Sequence, residues 1–273
     1  MTGLAILEAI LAGERDAQKL AALKDHRIKA SRDTIAKSLC GDWREEHLFT
    51  LRQSHALWST YQELIADCDA QIQSMLQEFD ARVDVENAPL GEARTSHKKP
   101  QKNQPAFDAR TECYRVLGVD LTALPGVDTP TALVLLGELG PQFAEKFATA
   151  KHFASWLGLC PDNRITGGKI LSSKTRAVKS RVATALRLSA QSLWRAQNYF
   201  GDLYRRWKAR LGNQKAVTAM AHKLARVLWH LLKFKEAFDW KVFEKEEAKI
   251  KRKKLVRLQT MAASLNLQLV PLQ

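Results

Sequence analysis

The residues best suited to chemistry lie in one stretch, LGLCPDNRITGGKILSSKTRAVKSR. A turn formed by Pro161, Asp162 and Asn163 precedes the hydroxyl of Thr166 and the pair Gly167 and Gly168. Arg164 and Lys169 flank them, and Ser172, Ser173 and Lys174 follow. Glycines let a backbone approach a phosphate closely, cations balance its charge, and a hydroxyl can attack phosphorus once a base takes its proton or a metal ion acidifies it. On residue types alone the stretch reads as a basic loop.

The second segment with functional content is LTALPGVDTPTALVLLGELG. Pro125 and Gly126 make a tight turn, Thr129 is the expected cap of the next helix with Pro130 at its first position, and Leu133, Leu136 and Leu139 form its inner face. This resembles a helix-hairpin-helix, in which a glycine such as Gly126 lets backbone amides at a helix N-terminus meet a DNA phosphate. An ordinary helical corner would use the same residues.

What positions these groups is a set of amphipathic helices. At roughly 100 degrees per residue, Val178, Val182, Leu186, Ser189 and Leu193 fall on one side of a helix, while Arg176, Arg181, Arg187 and Arg195 fall on the other. No carboxylate lies between Lys174 and Gly201, which favours phosphate contact over a solvated face of mixed sign. Downstream, YRRWKARLGNQKA adds Arg205, Arg206, Lys208, Arg210 and Lys215, with Tyr204 and Trp207 interleaved. Val217, Met220, Ala221, Leu224, Leu228 and Leu231 then mark a further buried helical stripe. In TAKHFASWLG, Phe153, Trp156 and Leu157 read as core.

Charge is uneven along the chain. Residues 1 to 85 carry 10 basic and 14 acidic side chains, whereas residues 151 to 215 carry 14 basic and 2 acidic ones, Asp162 and Asp202. Overall, 43 Lys and Arg stand against 29 Asp and Glu, for a net charge of +14, and 45% of residues are hydrophobic, enough for a real core. The excess favours a polyanionic partner such as nucleic acid. No apolar run reaches the roughly 18 to 20 residues of a membrane span, and the start lacks a basic leader, so the reading is a soluble cytoplasmic protein. Cys40, Cys68, Cys113 and Cys160 are too far apart for a zinc knuckle or redox pair.

Four regions are expected. Residues 1–85 are helical, including a stripe at Leu48, Leu51, His55, Trp58, Tyr61, Ile65, Cys68, Ile72, Met75 and Phe79 that suits either a dimeric coiled coil or one helix of a mixed bundle. Residues 86–107, with three prolines, form a flexible linker. Residues 108–238 form a basic helical domain, and 239–273 a charged, solvated helical tail. The expected fold class is all-α.

Three segments together resemble one family, the insertion-sequence transposases of the 110/116/902 group. ILAGERDAQKLAALKDHRIKASRDTIAKSLCGDWREEHLFTLRQ is similar to the region between the family's domains. LPGVDTPTALVLLGELG is similar to the start of its C-terminal domain, and the run from FASWLGLCPDNRITGGK through AVTAMAHKLARVLWHLLK to the rest of it. The resemblance implies a DNA recombinase with an N-terminal RuvC-like domain, whose carboxylates bind two divalent ions, and a C-terminal domain contributing a serine nucleophile. That serine falls on Thr166, whose extra methyl crowds an in-line approach to phosphorus. Met1 matches a point where the family's linker region is already under way. The expectation is therefore a truncated transposase that binds double-stranded DNA but does not transfer strands alone, with Mg2+ needed only alongside the RuvC-like domain and no cofactor held by this chain. The resemblance also implies an element-encoded RNA as a second ligand. A homo-oligomer is expected from the stripe. The alternative reading is a non-catalytic DNA-binding regulator of the full-length enzyme.

Overall fold

A computed structural model describes residues 2–92 and 104–267. Half of the expected linker, residues 93–103, lies outside the described residues. Packing divides the chain into two compact units, Met1–Gln71 and Ile72–Gln273. The dividing point falls inside a helix. As the sequence predicts, the fold is all-α apart from one two-stranded sheet among the described residues. No helix of the described residues is long and apolar enough to cross a membrane.

The first unit contains α1 (Thr2–Leu11), α2 (Ala17–Ala22), α3 (Arg32–Leu39) and most of α4 (Glu45–Gln77). The short helices begin where side chains replace missing intrahelical acceptors. The Asp16 carboxylate accepts from Gln18 N at 2.8 Å, and Ser31, the expected cap, accepts from Thr34 N at 3.1 Å. Ile6, Ile10, Leu20 and Leu48 form a small core. Along α4 in this unit, Leu48 is buried, whereas Leu57, Trp58, Tyr61, Leu64 and Ile65 are exposed.

The second unit contains α5 (Ala109–Leu117), α6 (Thr129–Leu139), α7 (Phe143–Lys146), α8 (Ala150–Trp156), β1 (Arg164–Thr166), β2 (Lys169–Ser172), α9 (Arg181–Ser192), α10 (Tyr199–Leu211), α11 (Asn213–Phe234) and α12 (Lys241–Ser264). Helix α11 is its centre and packs against α8, α9 and α10. All six residues of its predicted stripe, from Val217 to Leu231, are buried. Each fully buried Leu or Met there stabilises the fold by about 1.5–3 kcal/mol.

Four local expectations need correction. The cap of α6 is Asp128, whose carboxylate accepts from Thr131 N at 3.0 Å. Thr129 is already helical. Helix α9 starts later than the apolar spacing suggests, because Ser180 caps it by accepting from Ala183 N at 3.2 Å. Arg176 and Val178 therefore precede the helix. Trp156 is half exposed, unlike its buried neighbours Phe153 and Leu157. Helix α12 is not wholly solvated: Phe243 and Ile250 enter the main core. Its Glu246 accepts a hydrogen bond from the Tyr199 hydroxyl, and its Lys254 pairs with Asp202 at 2.9 Å.

Candidate nucleic-acid interface

The basic loop of the sequence is a β-hairpin. Ile165 pairs with Ile170 and Thr166 with Lys169. Gly167 and Gly168 form the two-residue turn at φ 54° and 74°. Both residues of this turn occupy the left-handed region, which glycine enters at no steric cost and which matches the twist of paired strands. Residues 161–171 are exposed throughout. Thr166 thus stands at an open tip with Lys169 opposite it.

The base of the hairpin is clamped. Pro161 and Thr175 form an isolated bridge, and Asp162 N donates to Lys174 O at 2.9 Å. Arg176 Nη2 donates to the Ser155 carbonyl at 2.8 Å, tying the following strap to α8. Gly158, at φ 65°, makes the approach of that strap possible: a Cβ there would stand 2.7 Å from Val178 Cγ2. Below the turn, Asp162, Arg164, Lys174 and Arg176 line an open cleft of about 610 Å³.

The remaining candidate cations lie on α9 and α10 and on the 3-10 turn Leu193–Arg195 between them. Arg181 pairs with Glu138 at 3.2 Å, with its own side chain largely exposed. Arg187 is half-buried and Arg206 exposed. Arg205 has a different job. Its Nη1 donates to Trp194 O at 2.8 Å and Ala196 O at 2.9 Å, and its Nη2 to Asp202 Oδ1 at 2.5 Å. Partial burial raises the proton affinity of Asp202, but hydrogen bonds from Lys254 and Arg205 outweigh it and hold the carboxyl below its ordinary range. Arg205 therefore fastens a turn. By contrast, Arg164, Lys169, Lys174, Arg187 and Arg206 have no ion pair among the described residues.

Gly126 is also accounted for by packing. At φ 86°, its α-carbon faces the backbone of α9, where a Cβ would come within 2.6 Å of Ser189 O. A residue with a side chain would push α6 and α9 apart. Sequence reasoning missed Trp194 altogether. Its ring is 47% exposed, with Arg195 Cζ at 5.4 Å and Lys208 Nζ at 5.2 Å from the ring centroid. The only sequence signal was an aromatic next to an arginine, because Lys208 reaches it from another helix.

No group of three or more His, Cys, Asp or Glu side chains among the described residues is placed to hold a metal ion. The donor set that a two-metal nuclease centre requires is not found among the described residues. The four cysteines are free thiols. Burial pushes the Cys113 thiol up to about 12.

Residues 120–205, which include α6, the hairpin, α9 and half of α10, match the model of the transposase IS116/IS110/IS902 family. A Pseudomonas aeruginosa protein named "Probable family 20 transposase" is 33% identical over 118 residues, covering 41% of this chain and 34% of that protein. The "Insertion element IS110 uncharacterized 43.6 kDa protein" of Streptomyces coelicolor is 30% identical over 139 residues, covering 50% of this chain and 34% of its own length. The chain thus spans about a third of the length of these curated relatives.

Proposed function

We propose, from the match of residues 120–205 to the transposase IS116/IS110/IS902 family model, that the second unit of this chain binds DNA phosphates during transposition of an insertion element. One observation carries the reading: the hairpin presents Arg164, Lys169 and Lys174 to solvent without ion-pair partners among the described residues. An exposed cation without an ion-pair partner releases bound counterions from a polyanion when it docks, which gives affinity without base selectivity.

Thr166 is the candidate nucleophile. Its place at the hairpin tip, next to the Gly167–Gly168 turn and paired with Lys169, leaves its hydroxyl open to a docked backbone. A hydroxyl near neutrality needs a base or metal to attack phosphorus. Asp162 lines the cleft below the turn, and the described residues offer no cluster that would hold a metal. The chain alone is therefore expected to bind element-end DNA without forming a covalent adduct. Incubation with that DNA and magnesium, followed by denaturing electrophoresis, tests this. An adduct lost on Thr166→Ala would overturn it.

Binding itself is tested by fluorescence anisotropy with a labelled duplex over a range of salt. The reading expects affinity to fall steeply between low and physiological salt. Salt-independent binding, or none, contradicts it.

A further inference from the structure

We infer that Trp194 is a stacking platform for an unpaired base of a single-stranded nucleic acid. The inference rests on the nucleic-acid reading above and adds a second kind of contact to it. Three observations on the second unit carry it.

First, the ring is exposed and solitary. The other half-exposed tryptophans of this unit pack on neighbouring rings: Trp156 on Phe147 and Phe153, and Trp240 on Phe200 and Phe238. Among the described residues no aromatic ring packs on Trp194, while 47% of it faces solvent. An indole left in water is unfavourable unless something covers it.

Second, the charge around the ring matches a nucleotide. Arg195 and Lys208, both exposed, lie 5.4 and 5.2 Å from its centroid. Neither has an ion pair among the described residues. Such cations shield the ring in the free protein, and on long flexible stems they swing outward to meet the phosphates on either side of a stacked base. Aromatic rings with flanking cations are how proteins hold single strands without reading sequence.

Third, the platform is fixed in place. Arg205 grips the carbonyls of Trp194 and Ala196. Helix α10 meets the turn so closely that a Cβ on Gly201 would stand 2.0 Å from Ala196 O. A ring on a rigid turn loses little freedom when a base stacks on it.

The test compares Trp194→Phe, which keeps an aromatic face, with Trp194→Leu, which keeps an apolar side chain without one. Anisotropy is measured with labelled oligothymidylate, oligouridylate and a mixed-sequence duplex of equal length, and circular dichroism checks folding. The expected result is a loss of about tenfold in affinity for at least one single strand in Trp194→Leu, with less than a twofold change for Trp194→Phe and for the duplex. The strand with the larger loss identifies DNA or RNA as the source of the base. Equal losses on duplex and single strands, or no loss, overturn the inference while leaving duplex binding standing. So does a change in sedimentation mass in Trp194→Leu without a change in strand binding, which assigns the ring to a protein contact. Wild-type protein that binds none of the probes overturns the nucleic-acid reading itself.

Discussion

The hairpin of residues 164–172 and the turn of residues 193–205 are both rich in cations, but the two use them differently. On the hairpin, Arg164 and Lys169 are exposed and form no ion pair among the described residues. At the turn, the Arg205 guanidinium is hydrogen-bonded to two backbone carbonyls and to Asp202. The same residue type is left open to solvent in one place and is a rivet in the other. A count of basic residues therefore overstates the phosphate contacts, and only the partners of each side chain separate the two classes.

Removing the Arg205 rivet should have the most severe consequence for the molecule. Arg205→Ala is expected to destabilise the fold by about 1.5–3 kcal/mol, because the Trp194 and Ala196 carbonyls and Asp202 lose a charged donor. Thermal denaturation checks this. A variant as stable as wild type with weaker duplex binding would move Arg205 into the ligand class.

Gly126→Ala tests the same distinction at a glycine. The added methyl meets Ser189 O at a backbone φ of 86°, so a loss of about 1–3 kcal/mol is expected. Duplex affinity of the folded fraction should stay as it was. Reduced affinity at unchanged stability would instead place a phosphate at the Gly126 turn, as the helix-hairpin-helix resemblance suggests.

A smaller effect concerns the core that holds both regions. The Cys113 thiol titrates at about 12 in the fold against a usual 9.0. Between these values the unfolded chain loses its proton first, so stability is fully present below pH 9 and falls as pH rises toward 12. Cys113→Ala should show a shallower alkaline loss than wild type in denaturant titrations. In thiol labelling at neutral pH, exposed Cys40 and Cys68 should react well before Cys113. Equal rates would mean that α5 opens readily.

Much of the framework was legible in the sequence. The stripe of α11 repeats at helical spacing because one face packs on three neighbouring helices, and every residue in it is buried. The stripe of α4 has the same kind of spacing, but Trp58, Tyr61 and Ile65 are exposed. Periodicity fixes a helix and its face, whereas burial depends on what lies opposite. The start of α9 was misplaced because Val178 fits the spacing, while Ser180 supplies the stronger local signal by capping. The hairpin went unrecognised because its strands are only three and four residues long and carry no alternation of burial. Only the Gly-Gly pair marked it. Trp194 was invisible because its character comes from Lys208 and Arg205, which reach it across α10.

On the proposed reading, affinity for DNA resides in the cations that no protein group holds and not in those tied to the fold. The direct measurement is the dependence of duplex affinity on salt for wild type, for Arg164→Ala with Lys169→Ala and Lys174→Ala, and for Arg176→Ala, whose guanidinium is tied to Ser155. The log–log slope of the hairpin variant should fall by about 2.7, at roughly 0.9 per lost phosphate contact, with the fold intact, and Arg176→Ala should leave the slope nearly unchanged. A hairpin variant with the wild-type slope, or an equal fall for Arg176→Ala, would contradict it.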